Sequence, residues 1–205
     1  KLPASFEHIP PERVGNERRL LTSEISGRSA IFNKVHKILP GLKKDSPALG
    51  RILEELKRLE HLGYQFEGAS GSFELLVKRQ LGLFQDSFRL VSYKVIDELP
   101  YPEGCSATAT IKIRVGDRLQ ISAAEGEGPV NALDRALREA LEVFYPVLRD
   151  VRLIDYKVRV MTPEDATAAT VRVLIESTDG ENVWTTVGAS PDIIEASWKA
   201  LVDSM

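Results

Sequence analysis

The chain contains the same unit twice. Ser92-Tyr93-Lys94-Val95 returns as Asp155-Tyr156-Lys157-Val158, Ala109-Thr110-Ile111-Lys112-Ile113 as Ala169-Thr170-Val171-Arg172-Val173, and Gly126-Glu127-Gly128-Pro129 as Gly188-Ala189-Ser190-Pro191. The matches keep a spacing of about 60 residues, the mark of a duplicated supersecondary unit. In the first copy the apolar residues alternate: Val91, Tyr93 and Val95, then Ile111, Ile113 and Val115 against Lys112 and Arg114, then Leu119 and Ile121. That is the period of three half-buried strands. After the glycine pair the period lengthens. Val130, Leu133, Leu137, Leu141 and Phe144 fall on one helical face, with Gly128 as cap and Pro129 at the first position. The second copy ends in another proline-started helix bearing Ile194, Trp198, Leu201 and Val202. Two copies can bury their sheet faces only against their own helices or each other, so one closed α+β domain is predicted rather than an open solenoid. It covers residues 83–205, with repeats at about 84–147 and 148–205.

Upstream the pattern is helical. Residues 1–25 lack sustained periodicity, carry Pro3, Pro10 and Pro11, and read as an extended linker. Ile31, Val35 and Ile38 lie at helical spacing up to Pro40. A stronger helix follows, with Ser46 as cap, Pro47 in its first turn, and Leu49, Ile52, Leu53, Leu56 and Leu59 on one face before Gly63. A third helix is predicted over about 72–81, with Phe73, Leu76 and Val77 inward and a turn-like stretch from Gly68 to Gly71 before it. Residues 26–82 therefore read as a small helical subdomain.

With 43% hydrophobic and 28% charged residues in 205, a packed core is within reach, and a net charge of -3 gives no broad attraction for nucleic acid or an anionic membrane. No apolar run approaches the roughly 20 residues of a membrane span. Cys105 is the one cysteine, so no internal disulfide forms, which fits a reducing cytosol and a cytoplasmic protein. The first residues, Lys-Leu-Pro-Ala-Ser-Phe-Glu-His, are neither a signal peptide nor an initiating methionine and read as a piece of something longer.

The glycine loop at 125–133 asks what it holds. A phosphate loop needs Gly-Lys-Ser/Thr after four spacers, and a dinucleotide loop needs a third glycine where Asn131 stands; neither pattern is met. Both helix starts, one per repeat, are expected to offer unpaired backbone amides and the positive end of a helix dipole, which suit a carboxylate as well as a phosphate. A small amino acid fits such a place, with Ala166, Ala168, Ala169 and Tyr156 walling its side chain. The other reading is that Gly128 and Pro129 form only a good helix cap. No catalytic set competes. His8, His36 and His61 sit in separate elements without metal-ligand spacing, Cys105 has no local base, and Trp184 and Trp198 read as core anchors.

Several stretches together resemble the C-terminal half of the citramalate synthases, close relatives of 2-isopropylmalate synthase. They are Phe-Glu-His-Ile-Pro-Pro-Glu-Arg-Val-Gly-Asn from residue 6, Ser-Glu-Ile-Ser-Gly-Arg-Ser at 23–29, Gly-Tyr-Gln-Phe-Glu-Gly-Ala at 63–69, Gly-Glu-Gly-Pro-Val-Asn-Ala-Leu at 126–133, and Trp-Thr-Thr-Val-Gly-Ala-Ser-Pro at 184–191. The resemblance implies an acyltransferase condensing acetyl-CoA with pyruvate on the way to isoleucine, on a (β/α)8 barrel with a divalent metal that is not in this sequence. What remains corresponds to linker, helical subdomain and allosteric domain, with no catalytic residue and no cofactor of its own. The resemblance further implies a homodimer that binds isoleucine, or alternatively leucine, at its interface. Gly128, Pro129, Val130 and Asn131 match the effector loop, Tyr156 the wall tyrosine, and Val160, Ala166 and Ala168 the side-chain pocket. The family also sends a tyrosine and a histidine from the linker into a neighbouring active site; Phe6 stands at the tyrosine's place and His8 does not match the histidine.

Overall fold

The computed structural model describes residue 13, residues 28–99 and residues 106–205. The linker expected over 1–25, Phe6, His8 and Cys105 fall outside the described residues, residue 13 apart. The chain divides into two compact units, Lys1–Leu42 and Lys43–Met205. In the first, helix α1 (Arg28–Ile38) stacks Phe32 on His36 one turn later, ring centres 5.4 Å apart.

The second unit opens with α2 (Pro47–His61). Ser46 caps it, its Oγ accepting from the Ala48 amide at 3.2 Å, and Ala48, Leu49, Ile52 and Leu56 form its buried face. Gly63 ends the helix at φ +94°, a conformation that favours glycine. Helix α3 (Ser70–Gln80) begins earlier than its periodicity predicts. Ser70 and Gly71, expected in a turn, belong to its first turn. Gly71 serves closeness instead, since a Cβ there would meet Thr185 O and Thr186 Cγ2 at 3.2 Å.

Two antiparallel sheets follow, β1 (Arg89–Asp97), β2 (Ala107–Val115) and β3 (Arg118–Gly126), then β4 (Arg152–Val160), β5 (Val171–Thr178) and β6 (Val183–Ser190). Each has its strands in sequence order and is followed by a helix, α4 (Pro129–Glu142) or α5 (Ile193–Ser204). The fold is α+β, and the duplication extends to its irregularities. The register slips between Leu90 and Ser92 in β1 and between Leu153 and Asp155 in β4. These bulges extrude Val91 and Ile154, which are 44% and 53% exposed. Val91 therefore does not share the inner face of Tyr93 and Val95; Leu90 does.

Leu119 and Ile121 also differ from expectation. They point away from α4 and are exposed, while Ser122, Ala124 and Gly126 lie beneath the helix. The reason is distance. Helix α4 turns Ala132, Ala136 and Ala140 inward beside Leu133, Leu137 and Leu141, and this close approach admits only small residues on the adjoining strand. Both repeats feed one cluster, in which Ile111, Ile113, Leu133 and Leu137 join Val173, Ile175, Trp198 and Leu201. Each fully buried leucine contributes roughly 2 kcal/mol of apolar transfer.

Candidate functional site

The first glycine loop is built by three contacts. Gly126 lies so close to α4 that a Cβ would fall 2.4 Å from the Ala132 amide nitrogen. Ser106 ties the loop to β2, its amide donating to Gly126 O at 3.2 Å and its hydroxyl to Glu127 O at 2.5 Å. Asn131 reaches back from the first turn, its Oδ1 accepting from the Glu127 amide at 3.3 Å. Gly128 differs from Gly126: its backbone is extended, and a Cβ there would have nothing within 4 Å.

The two helix starts are not equivalent. At α4 the cap is Gly128, no side chain caps it, and the first turn holds no acidic residue. Among the described residues, the amides of Val130 and Asn131 take no protein acceptor. At α5 the carboxylate of Asp192 accepts from the amides of Ile194 at 2.8 Å and Glu195 at 3.4 Å. Ser190 Oγ accepts from the Asp192 amide at 3.1 Å and donates to Glu195 Oε2. That bond, ahead of Lys199, holds the Glu195 carboxyl below its ordinary range. This corrects two expectations. Pro191 precedes the cap rather than opening the helix, and the second helix start already has its anion. Asp192 and Glu195 were legible as an acidic cap with Glu three residues on, a capping box, which the proline had obscured.

The remaining candidates lie in the second repeat. Tyr156 faces α5, its hydroxyl 2.8 Å from Ser197 Oγ, and borders the shared core as Val130 does. Its counterpart in the first repeat, Tyr93, lies against the Trp198 ring, 5.4 Å between centres, and burial there raises its phenol pKa. Val160 ends β4 and is 48% exposed. Ala166 and Ala168 are exposed in the turn Pro163–Ala168, whereas Ala169 is buried. Ala166 stands at φ 51°, ψ −116°, the single non-glycine residue with positive φ among the described residues. The turn connects β4 to β5 at the end of the sheet where β6 leads into α5, as Val171 pairs with Ser190. The candidates thus lie on two stretches, Gly128–Asn131 at one helix start and Tyr156–Ala168 on β4 and the turn after it, and no backbone hydrogen bond joins them among the described residues. No three His, Cys, Asp or Glu side chains cluster as a metal site among the described residues, and no described helix is long and apolar enough to cross a membrane.

A sequence model of the LeuA allosteric (dimerisation) domain matches residues 67–205. The chain is 49% identical over 204 residues to an (R)-citramalate synthase of Geobacter sulfurreducens, covering 99% of this chain and 39% of that protein. It is 46% identical to an (R)-citramalate synthase of Aquifex aeolicus, covering 98% and 38%. A probable 2-isopropylmalate synthase of Methanopyrus kandleri is 32% identical, covering 97% and 38%. The chain thus spans about two fifths of the length of these curated relatives.

Proposed function

The chain belongs to the LeuA allosteric (dimerisation) domain family, and from that premise we propose that it is the regulatory C-terminal part of a citramalate synthase, binding isoleucine as a feedback inhibitor at the interface of a cytoplasmic homodimer. The parent condenses acetyl-CoA with pyruvate on a barrel that carries the divalent metal, and this part alone is inactive. Residues 26–82 act as the helical subdomain between linker and regulatory repeats.

The observation that carries this reading is the asymmetry of the two helix starts. Duplication supplies two, and the α5 start is filled by Asp192 while the α4 start keeps two amide donors and an uncompensated dipole. Isoleucine places its carboxylate on the Val130 and Asn131 amides. Glu125 and Glu127, exposed on the same loop, disfavour a simple anion but offer the ammonium of a zwitterion a partner. Tyr156, Val160, Ala166 and Ala168 complete the site from a second copy, which makes it depend on the dimer.

The test copies the second repeat into the first. Gly128→Asp places a carboxylate where Asp192 stands in α5, and since a Cβ at Gly128 meets nothing, the fold is retained with a gain of a few tenths of a kcal/mol. Isoleucine affinity measured by calorimetry should fall at least tenfold, and Gly128→Trp should abolish it. Unchanged affinity in both variants removes this loop from the site.

A further inference from the structure

Helix α3, which packs closely on β6 at Gly71, is tied to α5 along a seam by one carboxylate. Asp203, near the end of α5, accepts from Ser72 Oγ at 2.7 Å and from Arg79 Nη1 at 3.1 Å, both on α3. Ser72 Oγ in turn accepts from the Val187 amide at 3.0 Å, satisfying a donor on the edge strand β6. Arg79 also reaches Asp86 at 3.3 Å and lies over the Phe84 ring, in the segment that leads into β1. Three polar side chains therefore join α3 to α5 and β6 in the second repeat and to the approach of the first.

On either side of this seam the packing opens. One cavity of about 720 Å³ and another of about 320 Å³ flank it, and Arg79, Trp198, Val202 and Asp203 line both. Phe73, Leu76 and Val77 give α3 its buried apolar face, but the polar contacts at its margin border two open grooves, and a margin so bordered can open locally. A buried carboxylate that loses its partners is costly, so such a seam favours two discrete arrangements over a continuum.

Nearer its start, α5 meets a residue of the proposed site. Ser197 meets the Tyr156 hydroxyl, and Asp203 stands six residues on, about 9 Å along the same rigid helix. Resting on the regulatory reading above, we propose that the Ser72–Arg79–Asp203 seam is a conformational clasp through which α5 passes effector occupancy to α3. Asp203 is the positioning residue, Ser72 its tie to the β6 edge, and Arg79 its tie to the segment entering β1. The other charged or titratable groups around Asp203 are Asp86, Glu74 and Arg89 on the larger cavity and Glu55, Tyr64 and Lys199 on the smaller.

Hydrogen exchange of the 205-residue chain, with and without isoleucine and alongside calorimetric titration, tests this in wild type, Asp203→Asn and Ser72→Ala, the β2 amides reporting that each variant folds. In wild type, isoleucine should change exchange of the α3 amides at least tenfold relative to β2. In both variants α3 should exchange at least tenfold faster without ligand and lose its response, while isoleucine affinity stays within threefold. Binding in wild type with no change at α3, or a variant whose α3 still responds, overturns the clasp. Absence of isoleucine heat in wild type overturns the regulatory reading instead, and the ligand-free comparison then decides the clasp: α3 exchange equal in wild type and variants removes it.

Discussion

Three glycines in equivalent-looking loops have different jobs. Gly126 and Gly188 admit a helix: a Cβ at Gly188 would fall 2.0 Å from Ala196 O and 2.9 Å from the Ala200 amide nitrogen. Gly188→Ala should therefore destabilise the chain by about 1–3 kcal/mol in urea unfolding, whereas Gly128→Ala, in open space, should cost only the difference in cap preference, less than about 1 kcal/mol. A similar loss at both positions would contradict this division. Ala166 has the opposite problem, a methyl at φ 51°, so Ala166→Gly should raise stability by about 1 kcal/mol, and a fall in unfolding midpoint would refute the strain. At this scale the sequence was only partly legible. It shows that a glycine is present, while which glycine meets a neighbouring backbone depends on a helix approaching from elsewhere in the chain.

Elements differ in how much their own residues decide. Helices α2 and α4 were legible because Ser46-Pro47 and Gly128-Pro129 mark their starts and a single apolar face runs along each. The face of β3 was not, because Leu119 and Ile121 alternate as an inner strand face does, and only the nearness of α4 turns the small residues inward. The α5 start is a capping device, and Asp192→Ala should cost about 1 kcal/mol of stability in thermal or urea unfolding. The α5 end behaves differently with pH. Burial raises the Asp203 carboxyl above its ordinary 3.8, against the lowering effects of Ser72 and Arg79. A folded pKa above the unfolded one means that the native state holds the proton more tightly. The associated stability is complete below the unfolded value and is lost as pH rises through the folded one. Ionisation therefore weighs against the native state as pH rises, so the urea midpoint of wild type relative to Asp203→Asn should increase as pH falls from 7 toward 3.8. A difference between the two that stays constant over this range would contradict this assignment.

For the whole molecule, the repeat spacing made the paired sheets legible, because period and turn residues are written locally. Its asymmetries were not. Helices α2 and α3 share the unit Lys43–Met205 with both repeats, and the ties are side chains far apart in sequence, Ser72 and Arg79 to Asp203 and Arg172 to the Gly63 carbonyl and the Gln65 side-chain oxygen. The Gly-Tyr-Gln-Phe-Glu-Gly-Ala stretch that marks the family resemblance is, in the fold, a docking strap onto β5. The family model is that of a dimerisation domain, and sedimentation of the 205-residue chain should give twice the monomer mass at micromolar concentration; a monomer would contradict a site shared between two copies. The most direct measurement is isothermal titration of this chain with isoleucine, with leucine, valine and pyruvate in parallel. Saturable heat with isoleucine and none of comparable affinity with the others is the predicted result. Preference for leucine would assign the parent to isopropylmalate synthesis, and no binding by any of the four would contradict a regulatory site and leave a dimerisation module.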